Sequence, residues 1–558
     1  MPEELHGLGV SPGTASGPVA RLGLPPRPPA GERPGPDPAV QAGRVANALE
    51  RVAASLEERA GRAGGEASAV LEATAMMARD PGLLAAVRAR LDAGSPTAAG
   101  LDAAVEEFCA TLESCGGHLA ERVADLHDVR DRALAILLGE PMPGVPRPGH
   151  PFVLVARDLA PADTATLDPG EVLAVVTEAG GPTGHTAVLA RGLGIPAVVR
   201  CPGAAGLVDG RPVLVDGTGG SVVVDPDGQA LVRAADRARA RALALDPAGG
   251  PGATLDGTPV ALLVNIATVD DARRAAAVDC EGVGLFRTEG LYLGRRTAPG
   301  VEEQADAYRE VFATFAGRRI VVRTLDAGAD KPLAFVDHGH EENPALGVRG
   351  LRVARHRPDL LEGQLRALGL AAAATGADVR VMAPMVSTPA EAAHFAALAR
   401  RHGLPAVGAM IEVPAAALRA ERVLAEVDFA SIGTNDLGQY TFAADRTQGD
   451  LADLLDPWQP ALLDLVAAVG EAGSATGTPV GVCGDAAGDP LLACVLVGLG
   501  ARSLSTAPGL VGAVRTVLGA HTLPRCEEMA RSARAAPDAA GARAAAAALA
   551  EDRVTSLL

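Results

Sequence analysis

The chain has 558 residues, which at roughly 150 residues per domain predicts two to four domains. Hydrophobic residues make up 48%, ample for sizeable cores, but aromatics only 2%, so those cores must be built from Ala, Val and Leu. A net charge of −18 argues against a nucleic-acid binder, which needs a basic face to displace counterions, and fits a cytoplasmic protein that meets its partners through specific patches.

Met1 to Val10 shows no basic region followed by an apolar run, so no signal peptide is expected. Gly7 to Leu24 reads as two short strands around the turn Ser11-Pro12-Gly13, followed by a Pro/Gly-rich connector from Pro25 to Pro38. The pattern then changes to helices. Asp37-Pro38 and Ser95-Pro96 each read as an N-cap followed by proline at the first helical position. Leu49, Val52, Leu56 and later Val123, Leu126, Val129 recur at three- and four-residue steps, implying four or five antiparallel helices.

A second Pro/Gly linker, Met142 to His150, leads into a strand-rich stretch: Phe152–Val155, Val172–Val176, Ala197–Val199, Val213–Val215 and Val222–Val224. A small α/β domain interrupted by the helical block accounts for this order. A helix over Gln229–Leu243 runs to the hinge Asp246–Ala253. Beyond it, eight strand-like segments alternate with helical patterns: Val260–Ile266, Val283–Glu289, Ile320–Asp326, Val379–Met385, Gly408–Val413, Phe429–Asn435, Val480–Gly484 and Arg502–Ala507. Eight β/α units predict a TIM barrel. The expected domains are 1–36 with 140–228 (α/β), 37–139 (helical), 229–253 (linker) and 254–558 (barrel).

The longest apolar run, Leu491–Leu499, is too short to span a bilayer and reads as a buried helix, so no membrane insertion is expected. Cys109, Cys115, Cys201, Cys280, Cys483, Cys494 and Cys526 form no CxxC pair, so neither a disulfide framework nor a structural zinc is expected. Lys331 is the only lysine beside 49 arginines, so it reads either as chance within a compositional bias toward arginine or as a position that resists it.

Four groups of residues carry chemistry. In Gly180-Gly181-Pro182-Thr183-Gly184-His185-Thr186-Ala187, flexible glycines precede a histidine that opens a helix. A helix start supplies N–H donors and a potential favourable to an anion beside the ring, as a phosphorylated imidazole needs. Arg287 and Arg323 each end an apolar strand, where TIM-barrel sites form, and two guanidinium forks at equivalent strand ends suit phosphate and carboxylate. Glu412 ends the fifth strand and Asp436 follows the sixth; two carboxylates at adjacent strand ends are the oxygen ligands that Mg²⁺ prefers. Cys483, at the end of the seventh strand, is either a small buried hydrophobe or a reactive thiol.

The His185 segment resembles the phosphohistidine signature of the PEP-utilising enzymes, most closely the Enzyme I family of the sugar phosphotransferase system, and the resemblance covers almost the whole chain. It implies phosphoryl transfer from phosphoenolpyruvate to His185 and on to a histidine of the carrier HPr, with release of pyruvate. It implies Arg287, Arg323, Asn435, Asp436 and Arg446 as substrate contacts, Glu412 and Asp436 as Mg²⁺ ligands, and Cys483 as the acid that protonates the enolate carbon. Thr164 would hydrogen-bond His185, and Lys331 would lie at the rim. The resemblance also implies a swivelling phosphohistidine domain, an HPr-docking role for the helical block and a homodimer through the barrel.

Departures from the family pattern are Pro182 for Arg, Gly184 for Ser, Thr74 for His, His127 for Arg, Ala329 for Gly, Gly438 for Thr and Asp485 for Glu. They leave open a regulatory paralogue that binds phosphoenolpyruvate or HPr without turnover. A dikinase would need an ATP-binding domain for which the chain has no Walker-type loop. A carbon–carbon lyase on a similar barrel would not explain the His185 segment.

Overall fold

The computed structural model describes residues 3–555 apart from 12, 24, 61–73, 116–122, 141–142, 147, 160–166, 169, 182–185, 188–189, 191–192, 246–248, 294, 329–332, 337–338, 340, 447–450 and 452. His185, Thr164, Lys331, Pro182, Gly184 and Ala329 therefore lie outside the described residues.

The N-terminal part is an eight-stranded sheet of β1 (Glu4–His6), β2 (Leu8–Ser11), β3 (Thr14–Arg21), β4 (Phe152–Ala156), β5 (Val172–Thr177), β6 (Ala197–Val199), β7 (Pro212–Asp216) and β8 (Ser221–Val224), in the order β1-β8-β7-β3-β4-β5-β6-β2. Three strands, not the expected two, precede the helical block. β1 and β2 sit at opposite ends of the sheet although only Gly7 separates them, so the sheet curls to bring its ends together there. A side chain at Gly7 would place its Cβ 2.6 Å from the Val199 carbonyl oxygen, which explains the glycine. The strands are continuous apolar runs because alternate residues feed two cores. Phe152 and Leu154 enter one, Val153 and Val155 the other.

Helices Pro38–Ala60, Pro81–Asp92, Thr97–Cys115 and Val123–Leu138 are inserted between β3 and β4. The predicted stripe is the packing face: Val45, Leu49, Val52 and Leu56 share one core with Leu126, Val129 and Leu134. Asp37 caps its helix as expected, accepting from Ala39 N at 2.9 Å. The Thr97 helix is capped differently. Glu32, in the connector, accepts from Ala98 N at 3.1 Å, a contact distant in sequence that local pattern does not reveal. The linker helix runs Gly228–Leu245.

The C-terminal part is a closed, all-parallel barrel of β9 (Ala261–Ile266), β10 (Gly282–Arg287), β11 (Arg319–Arg323), β12 (Asp378–Ala383), β13 (Ala406–Ile411), β14 (Phe429–Ile432), β15 (Val480–Val482) and β16 (Ser503–Thr506). Each matches a predicted segment, but most end one to three residues early, because the polar residues at their C-terminal ends turn out of the sheet toward the barrel mouth. Leu491–Leu499 falls on the buried helix Pro490–Gly498. Among the described residues no helix is long and apolar enough to cross a membrane.

Candidate active site

The C-terminal ends of the barrel strands converge the predicted barrel residues. Arg287 and Arg323 are the last residues of β10 and β11, Glu412 and Cys483 directly follow β13 and β15, and Asn435 and Asp436 lie in the first turn of helix Thr434–Phe442, not at the end of a strand.

Their ion pairs extend through three residues that the sequence reading did not single out. Arg323 Nη2 meets Glu289 Oε1 at 2.9 Å and its Nη1 meets Asp326 Oδ2 at 3.1 Å. Arg349 meets Asp326 Oδ2 at 2.9 Å and Asp436 Oδ1 at 3.1 Å, and its Nη1 also reaches the Tyr440 hydroxyl at 3.3 Å. Arg349 and Asp326 are each only 1% exposed. Burial alone would lower both guanidinium pKa values, but the facing carboxylates outweigh it and hold both arginines charged. Arg323 Nε and the Thr434 hydroxyl are buried without a hydrogen-bond partner among the described residues, so this mouth keeps polar capacity for an oxygen-rich ligand.

Glu412 is 1% exposed, and its carboxylate accepts from Met385 N at 2.6 Å. Met385 holds a left-handed backbone with φ 60°, rare for a residue with a side chain, so strain is kept where the carboxylate is oriented. Gly433 leaves the other face of Glu412 open: a Cβ there would lie 2.9 Å from Oε2. Burial, then Asp436 and Asp326, push the Glu412 carboxyl well above the usual carboxylate range, against the pull of Arg323 and the Met385 N–H. Two acidic side chains that repel one another suit a divalent cation. Among the described residues, however, no group of three His, Cys, Asp or Glu side chains is placed to hold a metal ion, so further ligands would have to be substrate or water.

A testable consequence concerns Glu412 alone. A carboxyl raised on folding contributes stability fully present below its unfolded pKa and lost as pH rises through its folded pKa. In chelator, Glu412→Gln is therefore expected to be more resistant to urea than the parent at pH 8, with the gap closing toward pH 5. Denaturation followed by fluorescence of Trp458, the only tryptophan and buried in the barrel core, reads this directly. A parent at least as stable as the variant at pH 8 would refute the assignment.

Cys483 is buried. Its amide donates to the Ile432 carbonyl at 3.0 Å, and its own carbonyl accepts from Asn265 Nδ2 at 3.3 Å. Burial first, then Glu412, raise the thiol to about 11, although the Ser431 hydrogen bond, Arg323 and Arg287 pull the other way. The group is thus a protonated acid at neutral pH, not a thiolate nucleophile.

Asn435 is clamped to the loop after Cys483, its Nδ2 donating to Asp485 Oδ2 at 3.1 Å and its Oδ1 accepting from Asp485 N at 3.0 Å. Arg446 reaches Asp436 Oδ2 at 3.6 Å because Ala443, at φ 49°, ends the helix and turns the chain back. The Arg287 side chain is exposed and makes no hydrogen bond or ion pair among the described residues. In the α/β part, Gly180 (φ 92°) and the buried Thr186 and Ala187 flank the His185 segment in sequence.

A parallel barrel presenting buried guanidiniums, paired carboxylates and a protonated buried thiol at one mouth has the groups that an enzyme acting on an anion uses. Comparison with known proteins gives the family: residues 248–522 match the PEP-utilising enzyme, PEP-binding domain, residues 148–220 its mobile domain and residues 6–122 its N-terminal part. The chain belongs to the PEP-utilising enzymes. It is 54% identical over 549 residues to the phosphoenolpyruvate-protein phosphotransferase of Streptomyces coelicolor, covering 98% of this chain and 99% of that one. Proteins of the same description from Haloferax volcanii (40% over 476 residues, 83% of each chain) and Bacillus subtilis (35% over 537 residues, 92% of this chain and 94% of that one) are also similar.

Proposed function

We propose that this chain takes the phosphoryl group of phosphoenolpyruvate onto His185 and passes it to a histidine of a small HPr-like carrier protein, releasing pyruvate as the first step of the sugar phosphotransferase system. The observation that carries the reading is the barrel mouth, where Arg323, Arg349, Asp436, Glu412 and Cys483 come together and would form an anion site with a built-in acid.

Arg287, Arg323 and Arg446 would bind the phosphate and carboxylate of the substrate, with Asn435 fixing the loop that carries Cys483. Glu412 and Asp436 would hold Mg²⁺, which when bound supplies positive charge to the substrate oxygens. An imidazole nitrogen of His185 attacks phosphorus, forming the N–P bond as the bond to the enol oxygen breaks. The electron pair left on the enolate draws a proton onto carbon from the Cys483 thiol, yielding pyruvate, and the thiolate recovers its proton from water. His185 and the barrel residues lie in different parts of the chain, so loading and delivery call for a swivel at the Pro/Gly hinges. In this reading the helical block of residues 37–139 docks the carrier, the barrel forms a homodimer and the protein works in the cytoplasm.

The test is a pyruvate assay with phosphoenolpyruvate, Mg²⁺ and an HPr-type carrier. Pyruvate release in proportion to the carrier supplied, stopping on chelation, is expected. Binding of phosphoenolpyruvate with no pyruvate formed would favour the regulatory reading that Pro182 and Gly184 leave open.

A further inference from the structure

The opposite, N-terminal mouth of the barrel contains a cavity of about 270 Å³. Barrel interiors are ordinarily packed with bulky branched side chains. Here the lowest inward positions are small: Gly284, Gly481, Ser503 and Ser505 line the space. Side chains are excluded at both glycines, since a Cβ at Gly284 would lie 2.4 Å from the Ser505 hydroxyl and one at Gly481 2.2 Å from that of Ser503. Val321, Met382, Met410, Phe429 and Cys483 form an apolar cluster across the barrel above. Val321 and Phe429 of this cluster also line the hollow, which opens at the end of the barrel away from Glu412 and Asp436.

Its rim is cationic. Arg319 opens β11, Arg380 lies in β12 two residues beyond Arg319's cross-strand partner Asp378, and Arg502 immediately precedes β16. All three line the cavity. Arg380 is paired with the exposed Asp378 at 3.1 Å. The half-buried Arg319 side chain makes no hydrogen bond or ion pair among the described residues. The other nearby carboxylate, Glu281, is held by the backbone N–H groups of Gly252 and Leu262 at 2.5 and 2.7 Å. Burial, and then the like charge of Arg380, lower the Arg319 guanidinium and outweigh the pull of Asp378 and Glu281 the other way. A half-buried guanidinium with no side-chain hydrogen bond among the described residues, beside two more guanidiniums and the Ser503 hydroxyl, is complementary to an oxyanion that accepts from several donors.

We infer that this mouth is a second anion site, in which Arg319, Arg380, Arg502 and Ser503 bind one phosphoryl oxyanion, either free orthophosphate or a short phosphomonoester. At about 30 Å³ per water, the cavity matches the volume of about nine waters, enough for a phosphate with a short carbon stub.

Equilibrium dialysis of the full chain against radiolabelled orthophosphate tests it. Arg319→Gln and Arg502→Gln are each expected to weaken one class of bound phosphate about tenfold, with Arg319→Lys restoring part of the loss and KM for phosphoenolpyruvate staying within about twofold of the parent. Exposed Arg502 keeps the test informative if Arg319→Gln fails to fold. Displacement of the label by glycerol phosphate would identify a phosphomonoester as the occupant, and displacement by orthophosphate alone the free ion; both support the site. Parent-like phosphate binding in the variants, or a loss matched by a rise in KM, would overturn it, the latter placing the phosphate in the catalytic mouth.

Discussion

Arg349→Met is expected to lower kcat/KM for phosphoenolpyruvate by about a thousandfold and to destabilise the barrel by about 3 kcal/mol. Both effects follow from one geometry. Arg349 is 1% exposed and bridges Asp326 to Asp436, so its removal takes one cation from two carboxylates in a dry site. Arg323 still reaches Asp326 at 3.1 Å, which puts the stability cost at the low end for a broken buried pair. Among the described residues, Asp436 keeps only Arg446 as an ion-pair partner, at 3.6 Å. It is then free to move from the position where it serves the substrate. Urea midpoints from Trp458 fluorescence read the stability and pyruvate release reads the activity. Arg349→Lys should recover stability better than activity, since an ammonium restores charge but not the fork that spans two carboxylates. A variant that is destabilised yet turns over normally once folded would show that Arg349 only supports the barrel.

Cys483→Ala is expected to slow pyruvate formation by about 10²- to 10⁴-fold, the usual worth of a positioned acid, with little change in affinity for phosphoenolpyruvate. The side chain is buried at the end of β15, and replacing sulfur by hydrogen removes no anion contact. The pH dependence has a definite sign. With the thiol raised to about 11, the proton donor is intact throughout the neutral range, so the parent's rate should show no loss from this group until the medium becomes strongly alkaline. A fall in rate between pH 7 and 9 traced to Cys483, or a Cys483→Ala variant as fast as the parent, would remove it from the proton-donor role.

The barrel was legible in the sequence because its strands are short apolar runs buried on both faces, separated by helical periodicity. Where they end was less legible. Glu289 and Asp326 were placed at strand ends but not in the site, since their function appears only when Arg323 and Arg349 are seen facing them. Arg349 was missed for a related reason. It lies between β11 and helix Pro358–Thr375, in a segment without hydrophobic period. The one available signal was the length of that segment, 324–357, because a connection so long inside a compact barrel is usually functional. Asp436 and Asn435 were attached to a strand and sit in a helix. Thr434-Asn435-Asp436 suits a helix start as well as a turn, and sequence pattern alone does not choose between them. The third N-terminal strand was hidden because the residues before Gly7 pair with the far edge of the sheet, a contact about 215 residues away in sequence that local pattern does not reveal.

The central claim is that the barrel loads a phosphoryl group onto His185. Intact-protein mass spectrometry after incubation with phosphoenolpyruvate and Mg²⁺, beside a His185→Ala variant, tests it most directly. The account predicts an acid-labile gain of one phosphoryl group in the parent and none in the variant. No gain in the folded parent, or an equal gain in both proteins, would contradict it.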